Sequence, residues 1–154
     1  MKKYNTSLRN LEYRLRAFKE HLPSMLEDII LDKEDVIISA VADNQLYRHG
    51  INGKEVKIAS YAPYAESTIK KKKKKGQPTS RVTLRDTGDF HRAMFMVFEP
   101  DGFYVTSEDY KTPFLVKKYG DEIFRLSDKN LTRILRSHIR KELIKRIKAI
   151  AKKR

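Results

Sequence analysis

The sequence predicts an α+β protein with N-terminal helices, a small antiparallel β-sheet carrying an exposed Lys-rich loop, and a long C-terminal helix. Apolar residues recur every three to four positions towards both ends of the chain, a spacing typical of amphipathic helices. Between them, two short apolar and aromatic runs flank a turn sequence, as in a β-hairpin. The 154 residues are 40% hydrophobic, enough for one core, so residues 1–154 are assigned to a single domain.

The N-terminal helices are predicted from apolar residues that share one face. The first set is Leu8, Leu11, Leu15, Phe18 and Leu22. Pro23 is expected to interrupt this helix because its nitrogen has no hydrogen to donate. Apolar sets at residues 25–30 and 36–46 predict two more helical segments, and Gly50 is expected to end the last one with a positive φ.

The middle of the chain predicts a hairpin and a short helix. Residues 93–98 and 103–106 are apolar runs suited to paired strands, and the four residues between them form a turn sequence. Residues 112–119 predict a short helix, whereas residues 56–58 and 123–126 are interpreted as extended. The C-terminal helix is predicted next, over residues 127–152, with Ser127 preceding its apolar face.

A run of six lysines stands between these regions. Because like charges repel and Gly76 and Pro78 follow closely, residues 70–80 are predicted to be a flexible basic loop. A polyanion or an acidic partner is the expected contact of its lysines, with a solvated loop that has no fixed partner as the alternative. These candidate contact residues are Lys70, Lys71, Lys72, Lys73, Lys74 and Lys75.

The net charge of +14 is unevenly distributed. Residues 1–69 contain 10 basic and 10 acidic side chains, and residues 70–154 contain 24 basic and 10 acidic ones. Such an asymmetry favours contact with a nucleic acid or an acidic protein surface over a role in solubility alone.

Several classes of function are not supported by the composition. The chain has no cysteine, which excludes disulfides, thiolate metal sites and a cysteine nucleophile, and fits an intracellular protein. The longest apolar runs are too short to span a bilayer, so no membrane contact is expected. No glycine-rich phosphate loop occurs and the four histidines are scattered, so neither a cofactor nor a metal site is predicted.

Two patterns resemble catalytic motifs but lack the structural context that those motifs need. Pro100-Asp101 followed by Asp109-Tyr110-Lys111 superficially matches a Mg²⁺-dependent nuclease, but the first pair is better explained as a hairpin turn. Asp86-Thr87-Gly88 occurs in aspartic proteases, which need two such loops whose carboxylates share a proton. No catalytic residue is therefore predicted, and the protein is interpreted as a binding or assembly protein and not an enzyme.

The Asp-Thr-Gly sequence has a structural explanation. Asp86 can cap the backbone of a turn, Gly88 can adopt a positive φ, and Phe90 can anchor the turn in the core. With Leu84 and Thr87, these residues form the predicted structural motif.

The same segment carries a family resemblance. Residues 82–90, Val-Thr-Leu-Arg-Asp-Thr-Gly-Asp-Phe, resemble the "LrDTG" signature of phage virion-morphogenesis (tail-completion) proteins. Residues 123–131 are similar to that family's entry into its last helix, although Arg125 stands where the family often has glycine. Residues 115–120, with their Tyr-Gly pair, and residues 43–53 resemble further segments of such proteins.

The resemblance implies a phage or prophage structural protein that acts in virion assembly, tail completion or head–tail joining. It implies a homo-oligomeric ring in contact with tail-tube, connector or neck proteins, with DNA as a further candidate contact and no catalysis. The implied location is the virion and, during assembly, the cytoplasm of the bacterial host. A basic nucleic-acid-binding protein is the alternative, and a Mg²⁺-dependent nuclease is a remote one.

Overall fold

The computed structural model describes residues 8–152, which contain helices and one two-stranded antiparallel sheet. This confirms the α+β class. The chain divides into two compact units: residues up to Lys33 together with those from Arg136 onwards, and Glu34–Leu135. The assignment of residues 1–154 to a single domain stays a prediction beside this division.

The first unit contains helices α1 (Leu8–Leu31) and α7 (Arg140–Lys152). The Arg146 guanidinium joins them, because it lies 2.7 Å from the Asp32 carboxylate and 3.7 Å from that of Asp28. These groups are partly exposed, so the ion pairs orient the helices more than they stabilise them.

Pro23 lies inside α1, so the prediction that it interrupts the helix is wrong. Polar side chains beside it bind backbone carbonyls of the same helix. The His21 ring Nδ1 is 2.8 Å from the Ala17 carbonyl oxygen, and the Ser24 hydroxyl donates to the His21 carbonyl at 3.0 Å. Pro23 leaves the Lys19 carbonyl, four residues before it, without its helical donor, and both residues are exposed, so water can bind that carbonyl.

The second unit begins with α2 (Glu34–Ser39) and a ten-residue π-helical segment (Ala40–His49). Their inward side supplies much of the core, including Ile37, Val41 and Leu46. The segment ends at Gly50, whose φ of +61° confirms the predicted left-handed stop.

A buried amide fixes the start of the C-terminal helix against this π segment. The Gln45 side chain is fully buried; its Nε2 donates to the Arg125 carbonyl at 2.9 Å, and its Oε1 accepts from the Ser127 amide at 2.7 Å. Ser127 accepts from the Asn130 amide at 3.3 Å, which confirms it as the N-cap.

The helix over residues 127–152 is confirmed as three consecutive segments: α6 (Asp128–Ile134), a π segment (Leu135–Ile139) and α7. The extended interpretation of residues 123–126 is wrong. A 3₁₀ turn (Asp121–Ile123) leads into the helix, and adjacent Ile123 and Phe124 are both buried, which a strand with one solvent-facing side does not allow.

The predicted hairpin is confirmed. Strand β1 (Met94–Glu99) pairs with β2 (Gly102–Ser107) in the register Met94–Ser107 to Glu99–Gly102. At the other edge of β1, the Glu34 carboxylate accepts a hydrogen bond from the Met96 amide at 2.8 Å. Helix α5 (Thr112–Tyr119) follows, as predicted.

The strand expected at residues 56–58 is replaced by a single bridge between Ile51 and Lys57 and a 3₁₀ turn (Ile58–Ser60). The flexible loop predicted at residues 70–80 is also wrong over its first half, because α3 (Glu66–Lys74) contains five of the six lysines. A four-residue helix, α4 (Asp89–Arg92), then precedes the hairpin. Among the described residues, no helix is long and apolar enough to cross a membrane.

Candidate interaction site

The structure brings part of the lysine run together with the Asp86-Thr87-Gly88 turn in the second unit. Lys72 of helix α3 and this turn both line one cleft of about 150 Å³. Lys111 and Leu115 complete its wall. Lys72 therefore shares a site with the Asp-Thr-Gly motif, whereas the other five lysines of the run do not line the cleft.

Lys72 connects α3 to the segment that precedes the Asp-Thr-Gly motif. Its side chain is only 6% exposed, and its Nζ donates to the Arg85 carbonyl at 2.6 Å and to the Gln77 side-chain oxygen at 3.0 Å. The ammonium also lies 5.1 Å from the centre of the Tyr64 ring. A buried ammonium is tolerable when it forms such charge-assisted hydrogen bonds.

This anchor explains why a helix replaces the predicted loop. An isolated nine-residue helix with five lysines is not expected to form, because helix nucleation is costly and the charges repel. The bonds of Lys72 and the packing of Thr68 and Ile69, both partly buried, hold α3 in place. The six lysines are alike in the sequence, and the signal that could have separated them is Ile69, which lies three residues before Lys72 and therefore on the same helix face.

The four remaining helical lysines face outwards. At roughly 100° per residue, Lys70 and Lys74 lie opposite Lys72, and Lys71 and Lys73 lie on the two flanks, each about 100° from it. All four are exposed. Lys75 is exposed too, but its Nζ lies 2.5 Å from the Asp86 carboxylate.

The segment before the motif is held rigidly. Thr83 is fully buried, its amide donates to the Tyr64 hydroxyl at 2.8 Å, and its hydroxyl lies 3.2 Å from the same oxygen. Leu84 follows with a φ of +51° and a buried side chain. A left-handed leucine is strained, and it persists only where neighbouring contacts determine the backbone.

The predicted roles of Gly88 and Phe90 are confirmed. Gly88 has a φ of +94°, and a Cβ there would lie 2.8 Å from Nη1 of Arg92. Phe90 is buried and its ring packs at 5.7 Å from that of Phe124.

The role predicted for Asp86 is not the one it has. Its carboxylate pairs with Lys75, and its carbonyl accepts from the Gln77 side chain at 2.7 Å. Side-chain bonds within the turn come instead from Thr87, whose hydroxyl donates to Asp89, while Arg92 donates to the Thr87 carbonyl at 3.3 Å. An exposed aspartate within reach of an ammonium forms the ion pair in preference to a turn cap.

Positive charge dominates the electrostatics of the cleft. The hydrogen bond from Lys75 lowers the pKa of Asp86, and Lys72 and Lys111 contribute to this shift through their charge. Hydrogen bonds from Thr87 and Arg92 similarly lower the pKa of Asp89. Both carboxylates are therefore ionised at neutral pH, unlike an aspartic-protease pair, in which one carboxyl must hold a proton.

His91 lies beneath the motif and was not singled out from the sequence. Its side chain is 7% exposed, and within residues 8–152 neither ring nitrogen has a hydrogen-bond partner. Burial lowers its pKa to about 4, and the charge of Arg85 contributes. The imidazole is therefore neutral at physiological pH.

The nuclease-like residues are not assembled into a site. Asp101 lies in the hairpin turn and is exposed, whereas the Asp109 carboxylate accepts a hydrogen bond from the Lys111 amide at 2.8 Å. In the described part of the chain, no group of three or more His, Asp or Glu side chains could hold a metal ion. The Asp109 carboxylate therefore binds the backbone of its own turn.

No protein-family model, curated protein or solved structure matches the chain.

Proposed function

We propose that the protein is a structural subunit of a phage or prophage virion that acts in tail completion or head–tail joining. In this proposal it assembles as a homo-oligomeric ring and contacts tail-tube, connector or neck proteins. The order of the Asp-Thr-Gly turn, the hairpin and the last helix supports it, because the resembled family has the same order.

Exposed apolar residues in the first unit carry the proposal. Six large side chains on α1 and α7 are between 36% and 72% exposed: Tyr13, Leu15, Leu31, Ile144, Ile147 and Ile150. The three isoleucines of α7 are spaced three residues apart and lie along one side of this helix, and exposed apolar side chains grouped in this way favour burial against another protein. A second copy of the chain is the occupant that ring assembly provides.

The candidate site supports a structural and not a catalytic role for the motif. Asp86, Thr87 and Asp89 are each engaged in hydrogen bonds or ion pairs with neighbouring side chains. The turn is consequently a rigid support between α3 and the hairpin. No step of a reaction is assigned to it.

The test is disruption of the gene in the phage or prophage that encodes it, followed by electron microscopy of the particles. We expect separate heads and tails, or tails of abnormal length, and recovery of intact particles when the wild-type gene is supplied. Normal particle numbers and infectivity without the protein would contradict the proposal.

A matched pair of variants tests the apolar surface itself. We expect Ile144→Gln, Ile147→Gln and Ile150→Gln together to fail in complementation and to reduce the mass of the purified oligomer in light scattering. Lys141→Gln, Lys145→Gln and Lys148→Gln alter exposed polar positions of the same helix and should leave assembly intact. Equal behaviour of the two variants would argue against an apolar contact through α7.

A basic nucleic-acid-binding protein is the second candidate function, and the four exposed lysines of α3 favour it. The remote nuclease alternative has no comparable observation in its favour.

A further inference from the structure

Helix α3 separates its lysines into two groups with different roles. Lys72 and Lys75 are bound internally, to the Arg85 carbonyl and the Asp86 carboxylate. The outward face carries four exposed lysines within five residues: Lys70, Lys71, Lys73 and Lys74. We call these four residues the lysine face.

Maintaining the lysine face costs free energy. Pairs three and four residues apart, such as Lys70–Lys74 and Lys71–Lys74, repel by a few tenths of a kcal/mol each. Glu66 is the one acidic residue of α3, eight positions before the end of the helix. The internal bonds of Lys72 therefore hold four like charges in a fixed array, which a flexible loop would have spread apart.

The density of positive charge along this array is close to the density of negative charge along duplex DNA. Four charges on five helical residues, each rising about 1.5 Å, give one positive charge per ~1.9 Å of axis. Duplex DNA carries one negative charge per about 1.7 Å of its axis, counted over both strands. Binding would release condensed counterions from the DNA and relieve the repulsion within α3.

The composition of the lysine face favours a phosphate backbone over an acidic protein. Protein interfaces are enriched in aromatic residues, Met and Arg and are depleted in Lys. The apolar residue of α3, Ile69, turns inwards and is partly buried, so the outward face offers no apolar anchor. Lysines contact phosphates as point charges and do not read bases.

We propose that the lysine face binds the phosphodiester backbone of duplex DNA without sequence preference. The inference rests on the second candidate function and deepens it by naming the ligand. It does not depend on the virion role, so a DNA-binding result and a particle-assembly result can fail separately.

The experiment measures anisotropy of a labelled duplex of about 30 base pairs and arbitrary sequence, titrated with the full chain at several salt concentrations. For the variant with Lys70, Lys71, Lys73 and Lys74 all changed to Gln, we expect affinity to fall at least about tenfold at ~100 mM salt. The slope of log affinity against log salt should become shallower by up to about 3 to 4, because each phosphate contact contributes roughly 0.9.

The control changes four other exposed lysines of the second unit to Gln: Lys57, Lys117, Lys118 and Lys129. It removes the same charge, and we expect it to lose less than about threefold, since these lysines are spread over several elements and form no array on one helix. Changing the lysine face to Arg should preserve binding. Thermal unfolding of every variant shows whether α3 remains folded, as we expect because Lys72 is retained.

Three results would overturn the proposal: no binding by the wild type at low salt, equal losses in the two Gln variants, or tighter binding of a polyglutamate peptide of matched charge. The last result would assign the lysine face to an acidic protein.

Discussion

At the scale of single residues, Lys72 differs from the other lysines of α3 because its side chain is buried and hydrogen-bonded to the backbone. The change Lys72→Met keeps an apolar stem of similar length but leaves the Arg85 carbonyl without its 2.6 Å donor. We expect the free energy of unfolding to fall by about 1–3 kcal/mol, the usual cost of an unsatisfied buried group. Urea denaturation monitored by circular dichroism measures it.

Its neighbour Lys73 provides the control, because Lys73 is exposed on a flank of α3 about 100° away. We expect Lys73→Met to change stability by no more than about 0.5 kcal/mol. Equal effects of the two substitutions would show that burial does not distinguish these lysines.

His91 makes stability depend on pH. Its pKa falls from 6.5 to about 4 on folding, so the unfolded chain binds more protons between these values. The stabilisation is complete above pH 6.5 and is lost as the pH falls towards 4, by about 3 kcal/mol in all at 1.36 kcal/mol per unit. The lowered pKa values of Asp86 and Asp89 also favour the folded state, and their contribution is lost from about pH 5 downwards, so it overlaps only the acid end of this window.

We expect His91→Phe to remove most of the slope of unfolding free energy against pH between 6.5 and 4. His49→Phe, at an exposed position, should retain it. An unchanged slope in the His91 variant would mean that other groups cause the acid sensitivity. Denaturant titrations at half-unit intervals of pH provide the comparison.

At the scale of elements, repulsion between the lysines of α3 opposes the packing and hydrogen bonds that keep this helix folded. We expect the amides of residues 72–74 to exchange with solvent more slowly than those of residues 79 and 80, which lie in no regular element. Helical hydrogen bonds protect amides until the helix opens locally. Hydrogen exchange followed by NMR measures both sets of amides in one sample. Equal exchange rates would contradict the helix and support the flexible loop that the sequence predicted.

The elements that could be predicted are those with a strong local pattern. The hairpin has apolar strands and a turn sequence, and the C-terminal helix has a long apolar face with Ser127 as its N-cap. Six identical lysines contain no such pattern, so their division depends on the Arg85 carbonyl, which only the folded chain places beside Lys72. The π segment was likewise predicted only as a helix, since its buried Gln45 bonds to residues about 80 positions away.

The candidate site was predicted in part. Gly88 and Phe90 have the expected roles, because a positive φ and an aromatic anchor are properties of the local sequence. The partner of Asp86 and the burial of His91 depend on tertiary contacts, and no local pattern indicated them.

At the scale of the whole molecule, the two units differ in how completely they bury apolar side chains. The second unit has a core of fully buried residues, such as Ile37, Leu46 and Ile58. In the first unit, few apolar side chains of the described residues are buried, whereas both units leave some exposed, Tyr13 and Tyr110 among them. Local stability follows buried apolar contacts, so the first unit should open more readily when the protein is not assembled.

Limited trypsin digestion of the unassembled chain tests this difference, because cleavable residues occur in both units. We expect the first cuts after residues such as Arg16, Lys19, Lys141 and Lys145 of the first unit, all of which are exposed. Lys70–Lys74 should resist longer, although five adjacent sites would make a flexible loop there the most sensitive part of the chain. Mass spectrometry of the early fragments identifies the cuts. Early cleavage within α3 would contradict both its anchoring by Lys72 and the greater stability of the second unit. Protection of α1 and α7 from trypsin on oligomerisation would locate the contact between copies in the first unit.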